Sequence, residues 1–121
     1  MPQRARIRNI ALALLGAALL ALKHSYHGPL EGAVLAWGGN VAASFALYFA
    51  AVNATSRCRR PRLAAAGATL LAVEAFELTN GFGVMANVYD PLDLVANAAG
   101  VALALLVDLL TTRFVLSPHP A

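Results

Sequence analysis

Apolar residues fall in four blocks, Ile7 to Leu22, Ala33 to Val52, Leu63 to Leu78 and Leu92 to Leu110, separated by short polar stretches. Alanine and leucine dominate them and no period-2 alternation persists, so the pattern predicts helices rather than strands. A helix needs about 20 residues, with a range of about 17–25, to cross a hydrocarbon core of about 30 Å. The second and fourth blocks meet that length. The first and third reach it through flanking residues, the third by way of Phe82. The expected fold is all-α: one membrane domain over residues 1–121 with four transmembrane helices, at about 7–24, 33–53, 63–82 and 91–112.

Composition narrows the class further. The 121 residues are 60% hydrophobic and 12% charged, against roughly 45–50% and about 25% in soluble domains. So short a chain lacks the polar surface to cover that apolar mass. A soluble enzyme, a nucleic-acid module and a disordered chain are excluded on this ground, and the expected partner is the lipid bilayer. A single cysteine, Cys58, excludes an internal disulfide framework.

The charges between blocks give an orientation. Arg4, Arg6 and Arg8 precede the first block, Arg57, Arg59, Arg60 and Arg62 separate the second and third, and Arg113 follows the fourth. All the bases except Lys23, eight of nine, therefore fall on one side of a four-pass chain. Lys and Arg accumulate in cytoplasmic loops, so both termini are expected in the cytoplasm of a multi-pass protein of a bacterial inner membrane. A cleaved signal peptide is the competing reading of the first block, but Ala21-Leu22-Lys23 is a poor cleavage site. The tail from Ser117 to Ala121 is expected to fray.

Small residues suit close helix packing in lipid. Asn97, Gly100 and Ala104 form one stripe, Ala64, Gly67 and Ala68 another, and Gly38 and Gly39 lead into Asn40, Ala43 and Ser44. The acids are uneven. Glu74, Glu77, Asp90, Asp93 and Glu31 share the side opposite the arginines, together with Lys23, His24 and His27; Asp108 alone lies at the arginine end, where Arg113 is expected to offset it. Asp90-Pro91-Leu92-Asp93 reads as a helix start, with Asp90 at the N-cap, Pro91 at N1 and Asp93 as a capping-box partner. Glu74 and Glu77 share a face and repel, near a helix end that disfavours negative charge. Something must compensate them: a shared proton, Lys23, a metal, or amides from Asn80 or Asn97.

An ionisable group inside a span marks a functional site by default. The candidate polar cluster is therefore Glu74, Glu77, Asp90, Asp93 and Asn97, with Lys23, His24 and His27 as partners; Glu74 and Asp93 are the candidates if there is acid–base chemistry. No nucleophile, HExxH, paired CxxC or phosphate loop accompanies them, so catalysis stays open. No cofactor is expected. His24, His27 and Glu31 are too loosely spaced to predict a metal site.

The stretch Glu74-Ala75-Phe76-Glu77, a short loop, then Asp90-x-x-Asp93-x-x-x-Asn97-x-x-Gly100 resembles the VanZ-like family. Glu77 stands where that family usually has Gln, the loop before Asp90 lacks the usual basic residue, and Lys23, His24 and His27 approximate its Lys-x-x-His feature. The resemblance is carried by residues 70–105. It implies a small polytopic protein of the bacterial cell envelope, of a kind some of whose members are linked to glycopeptide (antibiotic) resistance, and it implies no reaction. Three functions follow as expectations. One is an envelope protein that binds or modifies an outer-face lipid headgroup, wall precursor or glycopeptide-related ligand. Another is a cation or proton transport or channel subunit, which needs a homo-oligomer because four short spans make a poor pore. The third is a non-catalytic membrane partner whose polar residues only lock its helices.

Overall fold

The structure, a computed structural model, describes residues 1–79 and 90–116. The expected end of the third span beyond Thr79, the loop through Tyr89 that includes Asn80, and the tail from Ser117 lie outside the described residues. Each apolar block is helical, and there is no strand among the described residues. Helix α1 is Gln3–Leu22, ending in a 3₁₀ turn at Lys23–Ser25; α2 is Glu31–Ala54, interrupted by a π turn at Val34–Gly38; α3 is Pro61–Leu78; α4 is Pro91–Thr111, extended by a π turn at Thr112–Leu116.

Three segments are long and apolar enough to cross a membrane: Gln3–Ser25, Glu31–Ala54 and Pro91–Leu116. Helix α3 is set apart by its charge: its 18 residues span about 27 Å at 1.5 Å per residue, but they carry Arg62, Glu74 and Glu77, which lower its hydropathy.

Helix α2 is the hub, packing against α1 on one side and against α3 and α4 on the other. Backbones approach closely where side chains vanish. A Cβ on Gly16 of α1 would lie 2.9 Å from the Ala46 Cβ of α2, and one on Gly100 of α4 would lie 2.6 Å from the Val41 carbonyl oxygen. Gly100 and Ala104 thus pack as their stripe predicts, beside a core of Phe45, Tyr48, Phe49, Val52, Ala65, Ala66 and Val101. Gly67 does not pack: a Cβ there meets nothing within 4 Å. The buried stripe of α3 runs instead through Ala65, Ala66, Thr69, Val73 and Glu77, leaving Gly67 and Ala68 on the exposed side.

The radial distribution is inverted relative to a water-soluble bundle. Asn9, Ser44, Thr69, Glu77, Asp93, Asn97 and Asp108 are buried, while Ile10, Leu14, Leu19, Leu71, Val95, Leu106 and Leu109 are exposed. Water would penalise that outer surface heavily. Acyl chains do not, because they are as apolar as leucine and leave helix association to packing and polar contacts.

Candidate functional site

Two polar clusters sit at opposite ends of α4. Asp93 and Asp108 are fifteen residues apart, about 22 Å along a helix axis.

The first is the carboxylate–amide cluster. Asp90 caps α4, its Oδ1 accepting from the Leu92 backbone N–H at 3.0 Å, and Pro91 opens the helix where a missing N–H costs nothing. Asp93 turns its carboxylate across to α2, where Asn40 Nδ2 donates to Oδ1 at 2.8 Å, and the Glu77 carboxyl of α3 is near enough to act on it electrostatically. One turn deeper, Asn97 joins three helices. Its Oδ1 accepts from Ser44 Oγ at 3.3 Å, and its Nδ2 faces the Val73 carbonyl at 3.3 Å and Glu74 Oε1 at 2.9 Å. Glu77 is 2% exposed and Glu74 is half-buried. The linear order, which places Glu77 nearer the helix end, thus understates its burial; α3 rotates Glu77 inward and leaves Glu74 at the margin.

Beside these groups lies a cavity of about 290 Å³ between α2, α3 and α4. Asn40, Glu77 and Asn97 line it, with an apolar remainder that includes Ala43, Leu47 and Phe76. It presents acceptors and amides to a ligand, and its chemistry favours a cationic or hydroxyl-bearing group. No set of three His, Cys, Asp or Glu among the described residues is arranged to hold a metal.

The expected partners of the acids are not assembled there. Exposed His27 pairs with Glu31 through Nδ1 and Oε1 at 3.3 Å. His24 is exposed, and Lys23 makes no ion pair among the described residues.

The second cluster went unread in the sequence. Asp108 is fully buried and is held from three other helices. Tyr48 Oη of α2 donates to Oδ2 at 2.5 Å, Arg8 Nη1 of α1 lies 3.0 Å from Oδ1, and Arg62 Nε of α3 lies 3.2 Å from Oδ2. The Arg62 Nε–H is angled off that oxygen and makes no hydrogen bond among the described residues, so its attraction is Coulombic; its Nη2 donates to Thr112 Oγ1 at 2.9 Å. Arg8 also donates to Thr111 and Thr112 Oγ1 at 3.0 and 2.9 Å and to Asn9 Oδ1. Asn9 in turn donates to Asn53 at 2.8 Å. The Arg8 guanidinium also lies 5.7 Å from the centroid of the Phe49 ring, within cation–π range. Arg113, the expected partner of Asp108, instead lies 5.3 Å from the centroid of the Phe114 ring. Donors surround Asp108 on every side, and the cluster reads as a four-helix staple. The sequence signal that marks it is a phenol, a carboxylate and a guanidinium at one depth of three apolar segments.

No protein-family model, curated protein or solved structure matches this chain.

Proposed function

We propose that the chain is a four-span integral membrane protein of the bacterial cytoplasmic membrane, VanZ-like in type. Both termini are cytoplasmic, and the carboxylate–amide cluster binds a polar ligand at the extracytoplasmic rim. The ligand class is a lipid headgroup or a lipid-linked wall precursor. The observation that carries this reading is the cavity lined by Asn40, Glu77 and Asn97, which sets one buried carboxyl and two amides inside an apolar bundle. Ionisable groups are costly at such a depth and mark ligand or ion pathways.

Helix α3 serves as the fourth span in this reading. Its about 27 Å nearly match the hydrocarbon core, with Arg62 at one interface and Glu77 close to the other. The orientation follows from the arginines, which accumulate at the Asp108 end. The resemblance over residues 70–105 supports the membrane reading and the polar cluster, and the cavity's mixture of acceptors, amides and apolar wall supports a polar ligand with a hydrocarbon part.

Substituted-cysteine labelling tests the orientation. In a Cys58-free background, an impermeant reagent applied from outside is expected to label a cysteine at Tyr89 and to spare one at Ser56; the reverse pattern overturns it. For the ligand site, Glu77→Gln and Asp93→Asn are expected to abolish the cellular phenotype while folded yield holds. A second reading, a lock that only joins helices, is favoured by the full set of partners around Asn97. It is selected if the same substitutions lower yield in step with phenotype. Flux of protons or metal ions into liposomes selects the transport reading instead.

A further inference from the structure

A groove of about 820 Å³ runs between α1 and the first half of α2, apart from the carboxylate cavity. Its walls are almost wholly apolar and include Leu15, Leu19, Trp37, Val41, Phe45 and Leu103. Lys23 stands at one end of it, with its ammonium close against the α2 backbone: a Cβ on Gly39 would lie 2.6 Å from Nζ. Every other Lys and Arg of the chain is at the opposite end of the bundle. Lys23 makes no ion pair among the described residues, and residues 80–89 contain no Asp or Glu to supply one.

A long apolar trough ending in an unneutralised ammonium is complementary to an amphiphile whose charge is negative and whose body is hydrocarbon. Leu15 and Lys23 are eight residues apart, about 12 Å of helix, enough for much of an acyl chain to lie along α1. The ammonium is a strongly hydrated point charge, suited to a phosphate at the level of the headgroups. A zwitterionic headgroup carries its own cation, which offsets the attraction; an acidic one does not. We propose that this groove seats an acidic membrane phospholipid, acyl chain against Leu15, Leu19 and Phe45 and headgroup phosphate on Lys23. The inference rests on the membrane-spanning reading but is independent of any ligand at Glu77 and Asp93.

The chain carries its own reporter, since Trp37 is the single tryptophan and it lines the groove. The full chain is reconstituted in phosphatidylcholine vesicles. Its fluorescence is titrated with phosphatidylglycerol brominated on the acyl chains and, separately, with phosphatidylcholine brominated in the same way. Half-maximal quenching is expected at an about fivefold lower mole fraction of the acidic lipid, the factor that one lysine near an anionic headgroup supplies. Lys23→Gln is expected to bring the two titrations together, and Lys23→Arg to keep them apart. High salt is expected to narrow the gap in the unaltered chain by screening. Coincident titrations in the unaltered chain overturn the proposal, as does a preference that survives Lys23→Gln or high salt. Failure of the chain to float with vesicles overturns the membrane reading itself, which separates the two failures.

Discussion

Replacing Asp108 with Asn removes one charge from the staple and one of its two acceptor oxygens. The amide is nearly isosteric, but Tyr48 and Thr112 donate to different oxygens of the carboxylate, Oδ2 at 2.5 Å and Oδ1 at 3.2 Å, so it keeps only one of them as a donor. Also lost is the countercharge of two arginines, and their exposures decide the size of the loss. The Arg8 side chain is 12% exposed and Asp108's is 1%, so that pair is near the buried limit, where removing one partner costs about 3–5 kcal/mol. Arg62, at 39% exposed, is near the surface limit of about 0–1 kcal/mol. Arg8 also keeps four side-chain oxygen contacts, to Asn9, Thr111 and Thr112, which moderates its loss. Asp108→Asn is therefore expected to cost about 3 kcal/mol. Arg8→Met is expected to cost as much, and Arg62→Met under about 1 kcal/mol. Because the groups share one network, Arg8→Met combined with Asp108→Asn is expected to cost clearly less than the two single losses together. Reversible unfolding in mixed micelles, followed by Trp37 fluorescence, reads all four. The reasoning is refuted if Asp108→Asn stays within about 0.5 kcal/mol of the unaltered protein, the scale of a neutral surface substitution, or if Arg62→Met costs as much as Arg8→Met.

The same unfolding measurement separates the two glycines. Gly100→Ala is expected to destabilise by about 1–3 kcal/mol, because its methyl meets the Val41 backbone at 2.6 Å, whereas Gly67→Ala, facing open space, is expected to be neutral or to gain up to about 1 kcal/mol of helix propensity. Asn97→Ala is expected to cost about 1 kcal/mol, the scale of interhelical hydrogen bonds in lipid, and so less than Asp108→Asn; a larger loss means that Asn97 holds more than its three partners. Leu30 adopts φ 61° just before α2, a left-handed backbone that costs a residue with a Cβ about 1–2 kcal/mol. Leu30→Gly is accordingly expected to raise the unfolding midpoint, and a lowered midpoint would show that the exposed leucine contributes more than its strain costs.

Long-period features were legible in the sequence. The apolar blocks announced helices because length and alanine–leucine content suffice for that. The Asn97, Gly100 and Ala104 stripe announced a packed face, and Asp90 before Pro91 announced a cap, since both depend on local spacing alone. The Asp108 staple was not legible because its partners are 100 and 46 residues away. The nearby alternative, Arg113, is five positions on, which at about 100° per residue points to another side of the helix. Gly67 misled for a related reason: smallness shows that close approach is allowed, while the rotation set by Ala65, Thr69 and Val73 decides which face approaches. Asp93 was expected to complete a capping box, yet Asn40, 53 residues earlier, offers it a donor from the neighbouring helix.

The π turn at Val34–Gly38 stores about one surplus residue in a single loop of helix. A five-residue π turn advances little further round the axis than four residues of regular helix, so removing Ala36 would restore regular winding and leave the upstream segment facing nearly the same way. Leu30, Ala33 and Val34, which border the lateral trough, would stay at its edge, and Asn40 and Ser44 would keep their places. Chain length within that short segment is therefore adjustable by one residue without disturbing the trough's mouth or the helix junctions below.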